Sequence, residues 1–97
     1  MRVLDLRDGM RRVDVSGEII EVGETREVTL KNGGSAKVAD CVLQDASGSG
    51  TVKLSLWDAQ LALAVKGQKV LITNGYTNSF RGELRLNVGR YGNIEKA

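Results

Sequence analysis

The sequence predicts a small all-β barrel, and three observations support this fold class. Apolar and polar residues alternate with a period of two over most of the chain, which is typical of half-buried strands. Turn-forming segments separate these stretches, and proline is absent. The length of 97 residues suits one compact core. We therefore expect a single domain over residues 1–97, with 1–12 as a lead-in that covers the barrel and 90–97 as an exit segment.

The first strand is expected over residues 13–22. Its alternation runs from Val13 to Ile19 and then changes phase at Ile19-Ile20. Such a phase change predicts a β-bulge after Gly17, because one extra residue reverses the faces of the residues that follow. A bulge would bend this strand so that it serves two sheet faces, as a small barrel requires.

A β-hairpin should follow the first strand. Its arms are residues 26–31 and about 37–44, and Asn32-Gly33 lies between them. Asn-Gly between alternating segments predicts a type I′ turn, whose two central residues both need positive φ. On the return arm we expect Cys41 and Leu43 to point into the core.

Residues 51–57 form the most regular strand pattern, with Val52, Leu54 and Leu56 on one face. A short helix is expected next, capped by Asp58 and ended by Gly67, so that its apolar residues close one end of the barrel.

The fourth and fifth strands are predicted over about 68–76 and 83–88, joined by a turn over 77–82. Leu84, Leu86 and Val88 alternate with polar residues and should therefore point inward.

The two arms of the first hairpin together count as the second strand, and residues 51–57 are the third. The chain then has five strands, and one short helix lies between strands three and four. This is the order of the five-stranded OB fold, which binds ligands on the exposed face around strands 2 and 3 and with loops 1-2 and 4-5. An SH3-like barrel is the alternative. It is disfavoured because the helix falls where the OB fold has it.

Several kinds of chemistry are excluded by composition. The chain has no histidine and a single cysteine, Cys41, which removes zinc sites, histidine-based triads and internal disulfides. Its acidic residues show no pair with catalytic spacing, so we expect neither an enzyme nor a metal or other cofactor. The N-terminus lacks an apolar stretch of signal-peptide length. We therefore expect a cytoplasmic, nucleoid-associated location. The net charge of +2 decides nothing about partners.

The aromatic residues are the strongest indication of function, because they are placed outside the predicted core. Trp57 shares the parity of Lys53 and Ser55 and should point outward. Phe80 lies at the predicted hairpin tip, and Tyr76 ends the strand that leads to it. The alternative is that Trp57 closes the end of the barrel beside the helix and that Phe80 folds back onto it.

Exposed aromatic rings beside basic side chains are typical of surfaces that bind single-stranded nucleic acid, where bases stack on the rings and cations follow the phosphates. The predicted phosphate and polar contacts are Arg26, Lys31, Lys53, Ser55, Asn78, Arg81, Arg85 and Asn87. We expect a monomer that binds single-stranded DNA. RNA remains an alternative ligand, and so does a protein partner in a larger replication or repair assembly that packs on the same aromatic residues.

Residues 52–58, 66–70 and 72–89 resemble the single-OB single-stranded DNA-binding proteins of archaea. They are also similar to the DNA-binding subunit of the human sensor-of-single-stranded-DNA complex and to replication protein A domains. The resemblance implies that Trp57, Tyr76 and Phe80 stack on bases and that Arg26 and Val28 add contacts from the first hairpin. It further implies protection of single-stranded DNA in replication and repair, largely independent of sequence.

Overall fold

A computed structural model of the chain describes residues 2–88 and 92–97, and for Phe80 only the backbone. None of the helices in these ranges is long and apolar enough to cross a membrane. Two short 3₁₀ helices cover Val3–Asp5 and Asp58–Leu63. The described residues contain seven strands, which are β1 (Val13–Val22), β2 (Arg26–Thr29), β3 (Ser35–Asp45), β4 (Thr51–Trp57), β5 (Lys69–Phe80), β6 (Glu83–Asn87) and β7 (Asn93–Lys96).

Five of these strands close into a barrel. They pair in the order β1-β3-β4-β6-β5, and β5 pairs with β1 to complete the ring. The β4–β6 pair is parallel, whereas the other pairs are antiparallel. The remaining two strands lie outside the ring, β2 against β3 and β7 against β5. The predicted five-stranded barrel is confirmed.

Strand β1 bends at the position that its sequence indicated. Gly17 pairs with Asp45 of β3 on one side and with Val70 of β5 on the other. The register with β3 shifts between Ile19 and Glu21, which confirms the predicted bulge. A Cβ atom at Gly17 would lie 2.3 Å from the carbonyl oxygen of Gln44. Glycine is therefore required where β1 passes from one neighbour to the other.

The barrel interior is aliphatic. Residues Cys41 and Leu43 on β3 are fully buried, as predicted. Val52, Leu54 and Leu56 of β4 are buried as well, and so are Leu86 and Val88, while Leu84 is half-buried against the core. Burial also raises the pKa of the Cys41 thiol. The period-two alternation thus placed the core side chains correctly.

The two tight turns differ from expectation. At the first hairpin only Gly33 has positive φ, at 86°, and its N–H donates to the carbonyl of Leu30 at 3.1 Å. The central residues of that turn are therefore Lys31 and Asn32, and the predicted type I′ turn is wrong there. Two successive positive φ values, the signature of that turn type, occur instead at Arg81 and Gly82.

Strand β5 is longer than predicted. It continues to Phe80, which pairs with Glu83 across the Arg81-Gly82 turn. The turn predicted over 77–82 is therefore confined to its last two residues. As a result, Tyr76 and Asn78 occupy strand positions of the same parity and share one face of β5.

The short helix is a 3₁₀ helix, and Asp58 does not cap it. The Asp58 carboxylate instead accepts a hydrogen bond at 3.0 Å from the backbone N–H of Lys37, a residue of β3. Gln60 stabilises the start of the helix, because its Oε1 accepts a hydrogen bond from the backbone N–H of Trp57 at 3.0 Å. The helix ends at Leu63, before the left-handed Gly67. Its apolar residues Leu61 and Leu63 pack against the core, as expected.

Both terminal segments pack against the barrel. Residues 93–96 form β7 on the edge of β5. At the other end, Val3 and Leu6 are buried in the core cluster. The Asp45 carboxylate holds this N-terminal segment, since it accepts the Val3 N–H at 2.6 Å and the Ser49 N–H at 2.9 Å. It also accepts the hydroxyls of Ser47 and Ser49.

We expect the Asp45→Asn variant to unfold at a Tm about 5 °C or more below that of the unmodified chain at pH 7, because an amide cannot accept all four of these donors. The hydrogen bond from Ser49, with those from Ser47 and Val3, lowers the pKa of Asp45 in spite of its burial. Because this pKa is lower in the folded chain than in the unfolded chain, the ionised carboxylate stabilises the fold at pH values above the unfolded-state pKa of about 3.9. This stabilisation is lost as the pH falls below that value.

The difference in Tm between the two chains should therefore shrink below about pH 4. Thermal melts followed by circular dichroism at several pH values measure it. The exposed Asp8→Asn variant is the matched control and should melt like the unmodified chain. A constant difference down to pH 2.5 would contradict the role given to the ionised carboxylate.

We expect Gly17→Ala to lower the free energy of unfolding by about 1–3 kcal/mol, because the added methyl group collides with the backbone of β3. Urea denaturation measures this loss. Gly50→Ala is the control, since its Cβ would meet only the Val3 side chain at an ordinary 3.6 Å. Equal stability of the two variants would show that β1 can shift away from β3.

Candidate nucleic-acid interface

Four neighbouring strands of the barrel present one continuous surface, which we call the outer face. The β-sheet register aligns Asp40 of β3, Ser55 of β4, Asn87 of β6 and Tyr76 of β5 in one row across it. A second row contains Val42, Lys53, Arg85 and Asn78, and the pair Val38 and Trp57 is the end of a third row. The outer face therefore consists of Val38, Asp40, Val42, Lys53, Ser55, Trp57, Tyr76, Asn78, Arg85 and Asn87.

A groove of about 220 Å³ lies on this face. Val38, which is buried, forms an apolar part of its floor next to polar side chains. Arg26 reaches the groove from β2, where it pairs with Val38. The lining comprises Arg26, Val38, Asp40, Ser55, Trp57, Asn78, Arg85 and Asn87. Six of the twelve residues predicted from the sequence to contact nucleic acid are thus brought together.

Trp57 is half-buried at the end of β4. It lies on the outer face with Ser55 and Lys53, opposite to the core residue Leu56, and it lines the groove. Its backbone N–H is fixed by Gln60, whose Nε2 also donates to the carbonyl of Val88 at 3.2 Å. The indole is therefore attached to a constrained backbone at the edge of the groove.

Tyr76 is the second aromatic residue of the outer face, with 40% of its surface exposed. It lies beside the groove lining, in the row that contains Asn87. Strand spacings place its Cα roughly 12 Å from that of Trp57, enough for each ring to contact a separate base. The predicted stacking residue Phe80 ends β5, and its side chain lies outside the described part of the structure.

An acidic residue, Asp40, occupies the middle of the groove. Its Oδ1 is 3.1 Å from Nη1 of Arg85, and its Oδ2 is 3.3 Å from Nη1 of Arg26. The Ser55 hydroxyl donates to Oδ1 at 3.3 Å. Arg85 also approaches Glu83 at 3.7 Å. Both arginines of the groove are consequently paired with carboxylates.

The protonation of Asp40 follows from these contacts. Burial raises the pKa of this carboxyl, but the hydrogen bond and charge of Arg85, together with Arg26 and Ser55, outweigh it and lower the pKa below its ordinary value. Asp40 is therefore ionised at neutral pH, and its negative charge belongs to the groove.

Two amide side chains complete the floor. Nδ2 of Asn87 donates to Oδ1 of Asn78 at 3.2 Å, between β6 and β5. Asn87 is buried, whereas Asn78 is exposed. An amide has two donors and a two-lone-pair acceptor, so this pair keeps hydrogen-bonding capacity for a ligand.

The other predicted contact residues lie at the margins. Lys53 is on the outer face beside Arg85, in a second depression bounded by Val42. Arg81 forms the β5–β6 turn, and Lys31 the β2–β3 turn. Val28 pairs with Ala36 on the β2–β3 hairpin. The structure does not bring these four residues into the groove.

Sequence reasoning missed Asp40 as a groove residue. The signal was present, since Asp40 alternates with the inward-pointing Ala39 and Cys41 and must therefore face outward. Its partners could not be found that way, because Arg85 is 45 positions distant and meets Asp40 only through the closed barrel. Gln60, which fixes the Trp57 backbone, gave no comparable signal.

Comparison with known proteins agrees with this architecture. Residues 10–96 match the profile of the family described as "Single-stranded DNA binding protein Ssb-like, OB fold". The single-stranded DNA-binding protein Ssb of Saccharolobus solfataricus is 32% identical over 96 residues. That alignment covers 99% of this chain and 63% of the relative, so the chain spans less than two thirds of the length of that protein.

Solved structures share the fold. An OB domain from Thermoplasma acidophilum superposes with a TM-score of 0.83 at 22% identity, covering 100% of this chain and 85% of the other. The second OB-fold domain of replication protein A from Methanococcus maripaludis superposes with a TM-score of 0.77 at 20% identity, covering 99% and 92%. The family resemblance found in the sequence is confirmed, and the chain belongs to the Ssb-like family of single-stranded DNA-binding proteins with an OB fold.

Proposed function

We propose that this chain binds single-stranded DNA on its outer face. The observation that carries the proposal is the groove itself, where Trp57, two amides and two arginines meet on one sheet surface with Tyr76 alongside. The family to which the chain belongs consists of DNA-binding proteins and not of enzymes. Because the described residues of the face all come from one chain, we further propose that a single copy binds.

Base stacking would supply most of the affinity. A base on an aromatic ring contributes about 1–3 kcal/mol, and stacking accepts any base because every base has a π face. Trp57 and Tyr76 offer such rings on one face, and we assign Phe80 the same role from the sequence. The separation between Trp57 and Tyr76, roughly 12 Å between their Cα atoms, lets each of these two rings hold a different unstacked base. Double-stranded DNA, whose bases already stack on one another, would bind poorly.

Phosphate contacts would come from the margins of the groove rather than from its centre. Lys53 lies at one margin, and Arg26, which pairs with Asp40 in the groove, keeps 59% of its side chain exposed. Lys31 and Arg81 sit on turns from which a flexible strand could be reached. Few cations are involved, so we infer that electrostatics contributes less than stacking.

We also propose an intracellular role in protecting single-stranded DNA during replication and repair. The relative from Saccharolobus solfataricus is named a single-stranded DNA-binding protein, and the similar fold from Methanococcus maripaludis is a domain of replication protein A. Coating of exposed strands needs little more than the stacking and phosphate contacts described above.

The proposal is tested by titrating the fluorescence of Trp57, which is the single tryptophan of the sequence. We expect quenching by a short mixed-sequence single strand and none by the duplex of that sequence. With about three to five phosphates contacted, log K should fall with log salt at a slope of about −2 to −4. RNA of the same sequence is the competitor that shows which sugar is preferred.

Equal quenching by the duplex would overturn single-strand selectivity. A slope near −10 would overturn a mechanism dominated by stacking, because it would require many more phosphate contacts. Absence of any response to nucleic acid would overturn the proposed function.

We expect Trp57→Ala to weaken binding of a labelled single strand by about 1–3 kcal/mol, measured by fluorescence anisotropy. Its Tm should change by no more than a few degrees, because the indole lies outside the aliphatic core. Val65→Ala, at an exposed apolar position that does not line the groove, is the control and should bind normally. Unfolding of the Trp57 variant would instead identify the indole as a structural cap of the barrel.

A further inference from the structure

The centre of the groove is poorly suited to a phosphate. Arg26 and Arg85 bring two positive charges, but the Asp40 carboxylate lies 3.3 and 3.1 Å from their guanidinium nitrogens, and Glu83, which lies outside the groove lining, is 3.7 Å from Arg85. A phosphate at this point would meet the ionised Asp40 carboxylate at close range. The groups that fit such a charge-balanced, polar floor are neutral ones that form hydrogen bonds, such as the edges of bases stacked on the neighbouring rings.

The Asp40 carboxylate can accept another hydrogen bond. Each of its oxygens has two lone pairs. Those of Oδ1 accept from Arg85 and Ser55, whereas Oδ2 accepts from Arg26. Among the contacts of the described residues this leaves acceptor capacity on Oδ2. The side chain is 21% exposed in the groove, so a ligand can approach it.

Asp40 is close to Trp57. Its cross-strand partner is Ser55, and Trp57 lies one same-face step, about 7 Å, along β4 from Ser55. Tyr76 is in the same row as Asp40 but three strands away, roughly 14 Å. A base stacked on Trp57 would therefore have an edge within reach of Asp40 and Ser55.

We propose that Asp40 is a specificity-determining residue, which selects bases carrying an exocyclic amine by accepting an N–H bond on Oδ2. This inference rests on the proposed function. Cytosine, adenine and guanine all carry such an amine. Thymine presents a carbonyl oxygen where cytosine has its amine, and that oxygen would be repelled by the carboxylate.

The Asn78–Asn87 pair does not provide the same discrimination. An amide offers both a donor and an acceptor, so it can satisfy either an amine or a carbonyl group. Asp40 offers only acceptors while ionised. The preference should therefore be modest and should depend on this one side chain, within binding that remains tolerant of sequence because stacking dominates it.

The test compares two oligonucleotides of equal length, one of 5-methyldeoxycytidine and one of thymidine. Their bases share ring size and methyl group, and differ in the amine or carbonyl at position 4 and the matching state of the adjacent ring nitrogen. By fluorescence titration we expect the unmodified chain to bind the amine-bearing strand about three- to tenfold more tightly, the net worth of one ordinary hydrogen bond.

In Asp40→Asn the ratio should fall to about one, because the amide accepts from the amine and donates to the carbonyl equally well. Glu95→Gln is the matched control, since it removes the same charge from an exposed position on β7. That variant should keep the preference. If thermal melts show that Asp40→Asn is unfolded, Asp40→Ser replaces it, with the same expected ratio.

The outcomes separate this inference from the function on which it rests. Equal affinity of the unmodified chain for both strands would overturn the role of Asp40 but leave single-stranded DNA binding intact. A preference that persists in the folded Asp40 variant would overturn it too. Failure of both strands to bind would overturn the proposed function itself.

Discussion

The architecture depends on one constraint, which is that β1 must pair with two different strands. Gly17 sits where β1 passes from β5 to β3, and the absence of a side chain lets the backbone of Gln44 approach it closely. The bulge at Ile19–Glu21 then redirects the strand. Closure of the ring brings β4 beside β6, and that parallel pair places Ser55 and Lys53 next to Asn87 and Arg85. The groove exists because the barrel closes.

Local patterns in the sequence were sufficient for most of the fold. The alternation in β4 identified Val52, Leu54 and Leu56 as core, and the phase change in β1 identified its bulge. Turn chemistry was less informative, because an Asn-Gly pair is compatible with more than one turn. The polar residues 77–79 predict a turn, whereas pairing with β6 keeps them extended.

The groove could be predicted only in part, for a related reason. Parity showed that Trp57, Ser55 and Asn87 face outward, but it carries no information about which outward residues meet. Asp40 had an outward parity like theirs, yet its position between Arg26 and Arg85 depends on strands that are adjacent only in space. Arginines that the composition suggested as phosphate ligands are thereby engaged with a carboxylate. Long-range pairing, rather than local propensity, sets the electrostatics of this surface.

Strand β5 has different neighbours on its two sides. Thr77, buried between the outward Tyr76 and Asn78, donates its N–H to the carbonyl of Met10 and accepts the Met10 N–H on its hydroxyl. The segment that precedes β1 is therefore hydrogen-bonded to β5, the strand whose outward side carries Tyr76. A label or fusion that displaces this segment would remove these hydrogen bonds and so weaken the support of Tyr76 without contacting it. Probes are better attached at the opposite side of the barrel.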